Sequence, residues 1–180
     1  MCVPEWRIGP SGGLALDRTW ALYSVDGRWV YFVSKRTGQG QIYRMPASGG
    51  EVAQMTRNGG YAPLTSPDGL WVYYAKPDGS LWKIPVNGGA ETAVLPPASL
   101  LNVLSVAVTR VGIYYVGPRD PMSRTFPFRL YRFADATTID ITHFDKPLQE
   151  QVSVSPDERW FAWAQVDSYV NDLILVENFR

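Results

Sequence analysis

Only one cysteine, Cys2, and one histidine, His143, occur in 180 residues. A single thiol excludes an intrachain disulfide and leaves the redox compartment open. Neither sign of charge prevails, since 17 basic and 17 acidic residues cancel and no block of like charge stands anywhere. The basic stripe of a nucleic-acid or anionic-membrane binder is therefore missing. We expect no direct nucleic-acid binding by this segment and no membrane partner. No run approaches 18 apolar residues, and the start, MCVPEWRIGP, has neither the basic nor the apolar region of a secretory signal. The segment reads as soluble, with cytoplasm and periplasm both open as its location. Helical patterns of about 10 to 15 residues are absent between the apolar stretches. What is abundant is apolar: 46% of residues are hydrophobic, with 7 Trp, 10 Tyr and 7 Phe. A chain of this size and composition buries a substantial core, which excludes disorder.

Internal repetition organises the rest. Ser24-Val25-Asp26-Gly27 recurs 42 residues later as Ser66-Pro67-Asp68-Gly69, and 89 residues beyond that as Ser155-Pro156-Asp157-Glu158. The skipped copy falls near Thr109-Arg110-Val111-Gly112, where the turn has decayed. Each turn leads into an aromatic segment: RWVYFV (28–33), LWVYYA (70–75), GIYYVG (112–117) and RWFAWA (159–164). A second segment follows each: QIYRMP (41–46), SLWKIP (80–85), RLYRF (129–133) and DLILV (172–176). Double glycines, Gly49-Gly50 and Gly88-Gly89, and short polar strands complete a unit of four strands. Residues 5–13 align with 42–50, so the chain begins in mid-repeat.

In Ser-Pro-Asp-Gly, proline fixes φ at the second position, aspartate bonds its own backbone, and glycine takes the left-handed φ that returns the chain as a hairpin. Val25 stands in for proline with φ in range. Glu158 occupies the glycine position at a cost of about 1 kcal/mol, so Glu158→Gly is expected to stabilise the fold.

A sheet packed on one face alternates apolar and polar residues. Trp29-Val30-Tyr31-Phe32-Val33 and Trp160-Phe161-Ala162-Trp163 are apolar on both parities. Each such strand must be covered on both sides without crossover helices. A radial stack of small antiparallel sheets meets that demand, which is an all-β propeller. YAPLTS, LSVAVT and QVSVS are the candidates for the innermost strand. A β-sandwich is the competing fold, and it requires one solvated face per strand. The division expected is one propeller region over 1–180: a partial blade at 5–18 and blades at 19–57, 61–96, 102–143 and 150–180.

The turn, the aromatic second strand and a third strand ending in IYRMPASGGE or LWKIPVNGGAE resemble the PD40 (WD40-like) repeats of six-bladed, TolB-like propellers. No WD dipeptide occurs. Two stretches, NGGYAPLTSPDGLWVYYAK (58–76) and VSVSPDERWFAWAQVDSYVNDLILVENFR (152–180), resemble the C-terminal propeller of acidobacterial multidomain regulators. There a winged-helix or protein-kinase domain precedes the repeats. The resemblance implies that Arg180 is a natural C-terminus, that sequence precedes Met1, and that these four four-stranded blades plus a partial N-terminal blade are an incomplete six-bladed ring. A closed four-bladed ring is the geometric alternative. The spacing from Gly13 to Ser24 is shorter than that from Gly50 to Ser66, which puts the outer strand of the partial blade in doubt.

No residue emerges as catalytic, cofactor-binding or metal-ligating. His143 has no second histidine or cysteine for a metal site, and nothing positions it for a Ser-His-acid triad. Asp26, Asp68 and Asp157 lack the clustered oxygen ligands that calcium needs, and a turn-bonding role explains all three. Nucleophile-elbow and P-loop spacings are absent. Most aromatics fall in second or third strands, where packing between blades accounts for them. Tyr61, Tyr169 and Phe126 lie outside and are the freer candidates, while the ligand-binding residues remain unassigned.

The function expected is a non-enzymatic, cofactor-free recognition module. Its loops and central funnel bind a protein or small ligand, as the sensory or interaction half of a regulator fused to an upstream domain. Two alternatives stand beside it. A propeller gating a prolyl oligopeptidase-type serine peptidase predicts a hydrolase domain after Arg180, and a TolB-like envelope scaffold predicts an upstream signal peptide. Missing blades leave apolar faces uncovered on the first and last sheets, beyond the few hundred Å2 a soluble monomer tolerates. Sedimentation of the isolated chain is expected to show association. A compact monomer at every concentration would favour a closed ring instead.

Overall fold

The computed structural model describes residues 20–146, 148 and 152–164. Among them are 14 strands and no helix. The first sheet holds β1 (Ala21–Tyr23), β2 (Trp29–Thr37), β3 (Gln39–Pro46) and β4 (Ala53–Gln54). The second holds β5 (Tyr61–Thr65), β6 (Trp71–Ala75), β7 (Leu81–Pro85) and β8 (Thr92–Leu95). The third holds β9 (Val106–Val108), β10 (Gly112–Val116), β11 (Phe126–Arg132) and β12 (Thr138–Phe144). A two-stranded sheet follows, β13 (Ser153–Val154) with β14 (Phe161–Ala162). Every pairing is antiparallel between chain neighbours, so each sheet is a meander in sequence order.

The recurrent turn explains why each meander starts. Ser24, Ser66 and Ser155 bond through N–H to the carbonyls of Trp29, Trp71 and Trp160 at 2.8–2.9 Å. The serine hydroxyl works in two directions. It donates to the aspartate two residues on, 2.6 Å for Ser24 to Asp26, and it accepts the N–H of Trp29, Trp71 or Trp160 at 2.9–3.0 Å. The same aspartate oxygen accepts the N–H of Arg28, Leu70 or Arg159, which closes the loop on itself. Gly27, Gly69 and Glu158 hold φ of 70°, 71° and 57°, the left-handed conformation expected of them. The third sheet does without this loop. Thr109 and Gly112 bond directly across a two-residue turn, Arg110-Val111, with N–H to carbonyl at 2.9 Å. A side chain at Gly112 would meet the Tyr131 carbonyl at 2.1 Å, so glycine is required where the other sheets carry tryptophan.

The apolar second strands β6 and β10 are buried from both sides, by different neighbours. The fourth does not meet the expectation of cover on both flanks: Phe161 packs against the third sheet, but Trp160 and Trp163 are 70% and 45% exposed. From β6, Val72 and Tyr74 pack with Tyr31, Val33, Ile42 and Met55 of the first sheet. Its other parity, Tyr73 and Ala75, packs with Val106, Ile113 and Tyr115 of the third. From β10, Ile113 and Tyr115 face the second sheet, while Tyr114 and Val116 face Val152, Val154 and Phe161. On the second parity of the first sheet, the register partners Phe32 and Tyr43 are buried side by side with rings stacked at 5.9 Å, and the Arg36 guanidinium of the same sheet lies 4.6 Å over the tyrosine ring. Each buried side chain of this size contributes about 1.5–3 kcal/mol relative to exposure. Cations lie over the tryptophan rings within the first and second sheets, and one of them also bonds across to the next. Arg44 covers the Trp29 ring at 4.5 Å and donates to the Val86 carbonyl of the second sheet, and Lys83 covers Trp71 at 4.2 Å.

Successive first strands touch in order: β1 with β5, β5 with β9, β9 with β13. They are the innermost strands, and β4, β8 and β12 form the rim. Sheets stacked face to face with their first strands innermost make an incomplete β-propeller. The two facing layers of a sandwich do not occur. The expected partial blade at 5–18, and the chain after 164, lie outside the described residues.

Glu158 corrects the simple expectation for its replacement by glycine. Its carboxylate accepts the Tyr114 hydroxyl of the third sheet at 3.1 Å, and burial first, then this bond, pushes the tyrosine pKa up to about 12. Glu158→Gly removes left-handed strain worth about 1 kcal/mol and a hydrogen bond of similar size. The two are expected to cancel in the wild-type background. In Tyr114→Phe, Glu158→Gly should stabilise by about 1 kcal/mol. Urea denaturation of the four proteins measures the coupling, and purely additive effects would show that the bond contributes nothing.

Candidate functional site

The meander gives the disc two unlike faces. One carries the turns between first and second strands and between third and fourth. The other carries the connections from second to third strands and from each sheet to the next. On this second face the links differ in length. Gly38 alone separates β2 from β3, residues 76–80 separate β6 from β7, and residues 117–125 separate β10 from β11.

Between the last two of these lies a cleft of about 220 Å3, walled by Lys76, Asp78, Leu100, Asn102, Val103 and Pro118. Its floor is set by close backbone approach. Leu100 donates to the Gly79 carbonyl at 3.0 Å and Ala98 to that of Asp78 at 2.8 Å. A Cβ at Gly79 would stand 3.3 Å from the Ala98 and Leu100 backbone, and φ there is 76°, so only glycine fits comfortably. Asp78 accepts the Ser80 hydroxyl at 2.6 Å and the Ser80 N–H at 2.9 Å, and these bonds hold its carboxyl below the usual range. The cleft therefore combines one carboxylate held in its ionised form with Lys76, Asn102 and the apolar Leu100, Val103 and Pro118.

Behind it sits a polar cluster that locks the first two sheets together. Glu91 accepts the Tyr74 hydroxyl and the Arg57 N–H, both at 2.8 Å. Lys76 places Nζ 3.5 Å from Glu91 and 3.5 Å over the Trp82 ring, with 11% of its side chain exposed. Burial and then the Glu91 bond raise the Tyr74 pKa. A second buried pair lies one turn away: Gln41 accepts from Thr56 at 2.8 Å and from the Gly59 N–H at 3.1 Å. Every polar group named here is engaged by a neighbour, which is the chemistry of a latch. Neither cluster was found from sequence. Polar residues scattered across separated strands leave no trace in hydrophobic patterning, and only the fold brings Lys76 to Glu91.

The residues singled out from sequence fare differently. His143 lies exposed on β12 opposite Pro127, and no group of three His, Cys, Asp or Glu side chains able to hold a metal occurs among the described residues. Asp26, Asp68 and Asp157 sit in three separate turns, each oxygen bonded as described. Tyr61 and Phe126, taken as freer aromatics, are not. Tyr61 meets Trp20 edge-on at 6.5 Å and accepts the Gly40 N–H, and its ring occupies the space a side chain at Gly40 would need. Phe126 is 8% exposed within the packing of the third sheet, because β11 begins three residues before the segment read from sequence. Tyr169 lies outside the described residues. What sequence reading passed over is Met122, 93% exposed in the 117–125 link.

No family model matches the chain. An uncharacterized protein of Agrobacterium fabrum, Atu1656, is 42% identical over 65 residues, which are 35% of this chain and 22% of that protein. Among solved structures, a TolB-type protein from Agrobacterium tumefaciens superposes with TM-score 0.60 at 17% identity, over 82% of this chain and 59% of its own. TolB from Acinetobacter baumannii does so with TM-score 0.60 at 17% identity, over 78% and 36%. An oligogalacturonate lyase from Vibrio parahaemolyticus gives TM-score 0.57 at 12% identity, over 72% and 40%. The fold is thus a β-propeller like that of the TolB structures, an architecture also present in the lyase. The chain spans less than two thirds of the length of each of these proteins.

The aspartate turns generate an acid-stability prediction. The serine hydroxyl first, then backbone and, for Asp26, the Arg28 guanidinium, hold the Asp26 carboxyl down to about 2 from an ordinary 3.8 and lower those of Asp68 and Asp157. A carboxyl whose folded pKa is depressed stabilises at higher pH and loses that contribution as pH falls through its folded value. Stability of the wild type should fall from about pH 4 towards about pH 2. The triple variant Asp26→Asn, Asp68→Asn, Asp157→Asn should follow a flatter profile in chemical denaturation. An equal or steeper slope in the variant would remove the turns from the account.

Proposed function

We propose that the chain is a non-catalytic recognition module, the sensory or protein-interaction half of a bacterial multidomain regulator. The observation that carries this reading is the contrast between the two faces of the disc. One is occupied by short, self-bonded turns. The other bears second-to-third-strand links of one, five and nine residues, the last two flanking a cleft, over a platform of packed sheets. Binding surfaces arise where variable loops stand on a rigid repeat scaffold. The polar side chains beside the cleft support recognition rather than turnover, since Lys76, Glu91, Tyr74 and Asp78 are each committed to neighbours. Fold alone does not supply this function, because the lyase shares the architecture.

The regulator context rests on the resemblance of residues 58–76 and 152–180 to the propellers that follow winged-helix or kinase domains. The PD40 repeat type is part of the same reading. Determining the coding frame on both sides of the segment tests it. A winged-helix or kinase domain upstream is the expected result. A hydrolase domain after Arg180 would replace the reading with a peptidase-gating propeller, and a secretory signal upstream would replace it with an envelope scaffold.

A further inference from the structure

The link between β10 and β11 is the longest of those joining a second to a third strand, and it is tied down by hydrogen bonds of its own. Asp120 organises it. One carboxylate oxygen accepts the N–H of Met122 at 2.9 Å, the N–H of Ser123 at 2.8 Å and the Ser123 hydroxyl at 3.2 Å. The Asp120 N–H reaches the Thr125 carbonyl at 2.8 Å, and the Arg124 N–H reaches the Asp120 carbonyl at 2.9 Å. Arg119 donates Nε to the Arg124 carbonyl at 2.8 Å, and the Ser123 and Thr125 hydroxyls share a bond of 2.8 Å. Pro121 fixes one further φ, and Arg124 holds a left-handed φ of 60°. Out of this closed tip stands Met122, 93% exposed, whereas Met55 is 8% exposed in the core.

The base of the link packs, with Pro118 in the wall of the cleft, but Met122 at its tip is presented to water at the cost of backbone strain at Arg124 and is not part of any apolar cluster among the described residues. Ordering it in advance removes the entropy that a flexible loop would lose on binding. We propose that residues 118–125 are a recognition finger whose Met122 side chain seats in an apolar socket on a protein partner, rimmed by carboxylates. The inference rests on the recognition reading above and names its partner's chemistry. Small-molecule sites are concave, so a convex tip requires the other molecule to supply the hollow. Methionine is the side chain suited to filling a hollow of irregular shape. The rim follows from charge. Arg119 and Arg124 are exposed on either side of Met122, while Asp120 is occupied by its own loop and lies near His143. One thioether offers too little apolar surface to hold the disc on a bilayer.

The probe is a phage library of a three-helix domain randomised on one face, selected against the full chain. Selected domains are expected to pair apolar residues with Asp or Glu. They should lose at least tenfold in affinity for Met122→Ser, retain it for Met122→Leu, and weaken several-fold as salt is raised. Met122 touches no core, so all three proteins should melt together. Domains that bind Met122→Ser equally well would overturn the finger and leave the recognition reading standing. Failure to select any binder would count against both. Co-sedimentation with phosphatidylglycerol vesicles that depends on Met122 would overturn the protein socket in favour of a lipid surface.

Discussion

A strand that is greasy on both sides cannot exist alone, and everything else in this fold is a response to that constraint. In β6 the side chains alternate between two destinations, Val72 and Tyr74 towards the first sheet and Tyr73 and Ala75 towards the third. No water-facing parity is left, so the sheet must have a neighbour on each side, and those neighbours have the same requirement. Stacking around an axis satisfies it without crossover helices, whereas the strands of a two-layer sandwich each keep a solvated face. Arg44 and Lys83 then cover the faces of the Trp29 and Trp71 rings at the ends of these strands.

This constraint is why so much of the architecture was legible in the residues. Parity of hydrophobicity, turn chemistry and spacing all reside in consecutive positions, and they identified the meanders, the innermost strands and the left-handed position at Glu158. The hydroxyl of Ser24, Ser66 and Ser155 was read only as part of a motif, although its two-way bonding to aspartate and to the following tryptophan closes the loop. Less legible were features made by distant residues meeting. Glu91 with Arg57 and Tyr74, Gln41 with Thr56, and Tyr61 with Gly40 are each joined across loops that carry no periodic signal. Phe126 was misplaced for a different reason: Pro127 reads as a breaker, yet it lies inside β11 opposite His143 on the outer strand.

The same division separates the two faces. The serine-aspartate turns of one face are built by local bonds that the repeat dictates, so they come out alike in the three sheets that carry them. Links on the other face only have to span two strand ends, and their length and composition are free to serve something else. The cleft beside Asp78 and the tip at Met122 both belong to that freer side. The third sheet shows the trade most clearly, with the shortest turn on one face, Arg110-Val111, and on the other the longest link between a second and a third strand.

Because odd and even positions of one central strand serve separate seams, a change at Tyr73 is felt at one seam and a change at Tyr74 at the other. Adjoining joints can therefore drift independently in evolution. A whole unit can be duplicated or lost without rewriting those further round the ring, because each needs only a matching surface on its immediate left and right.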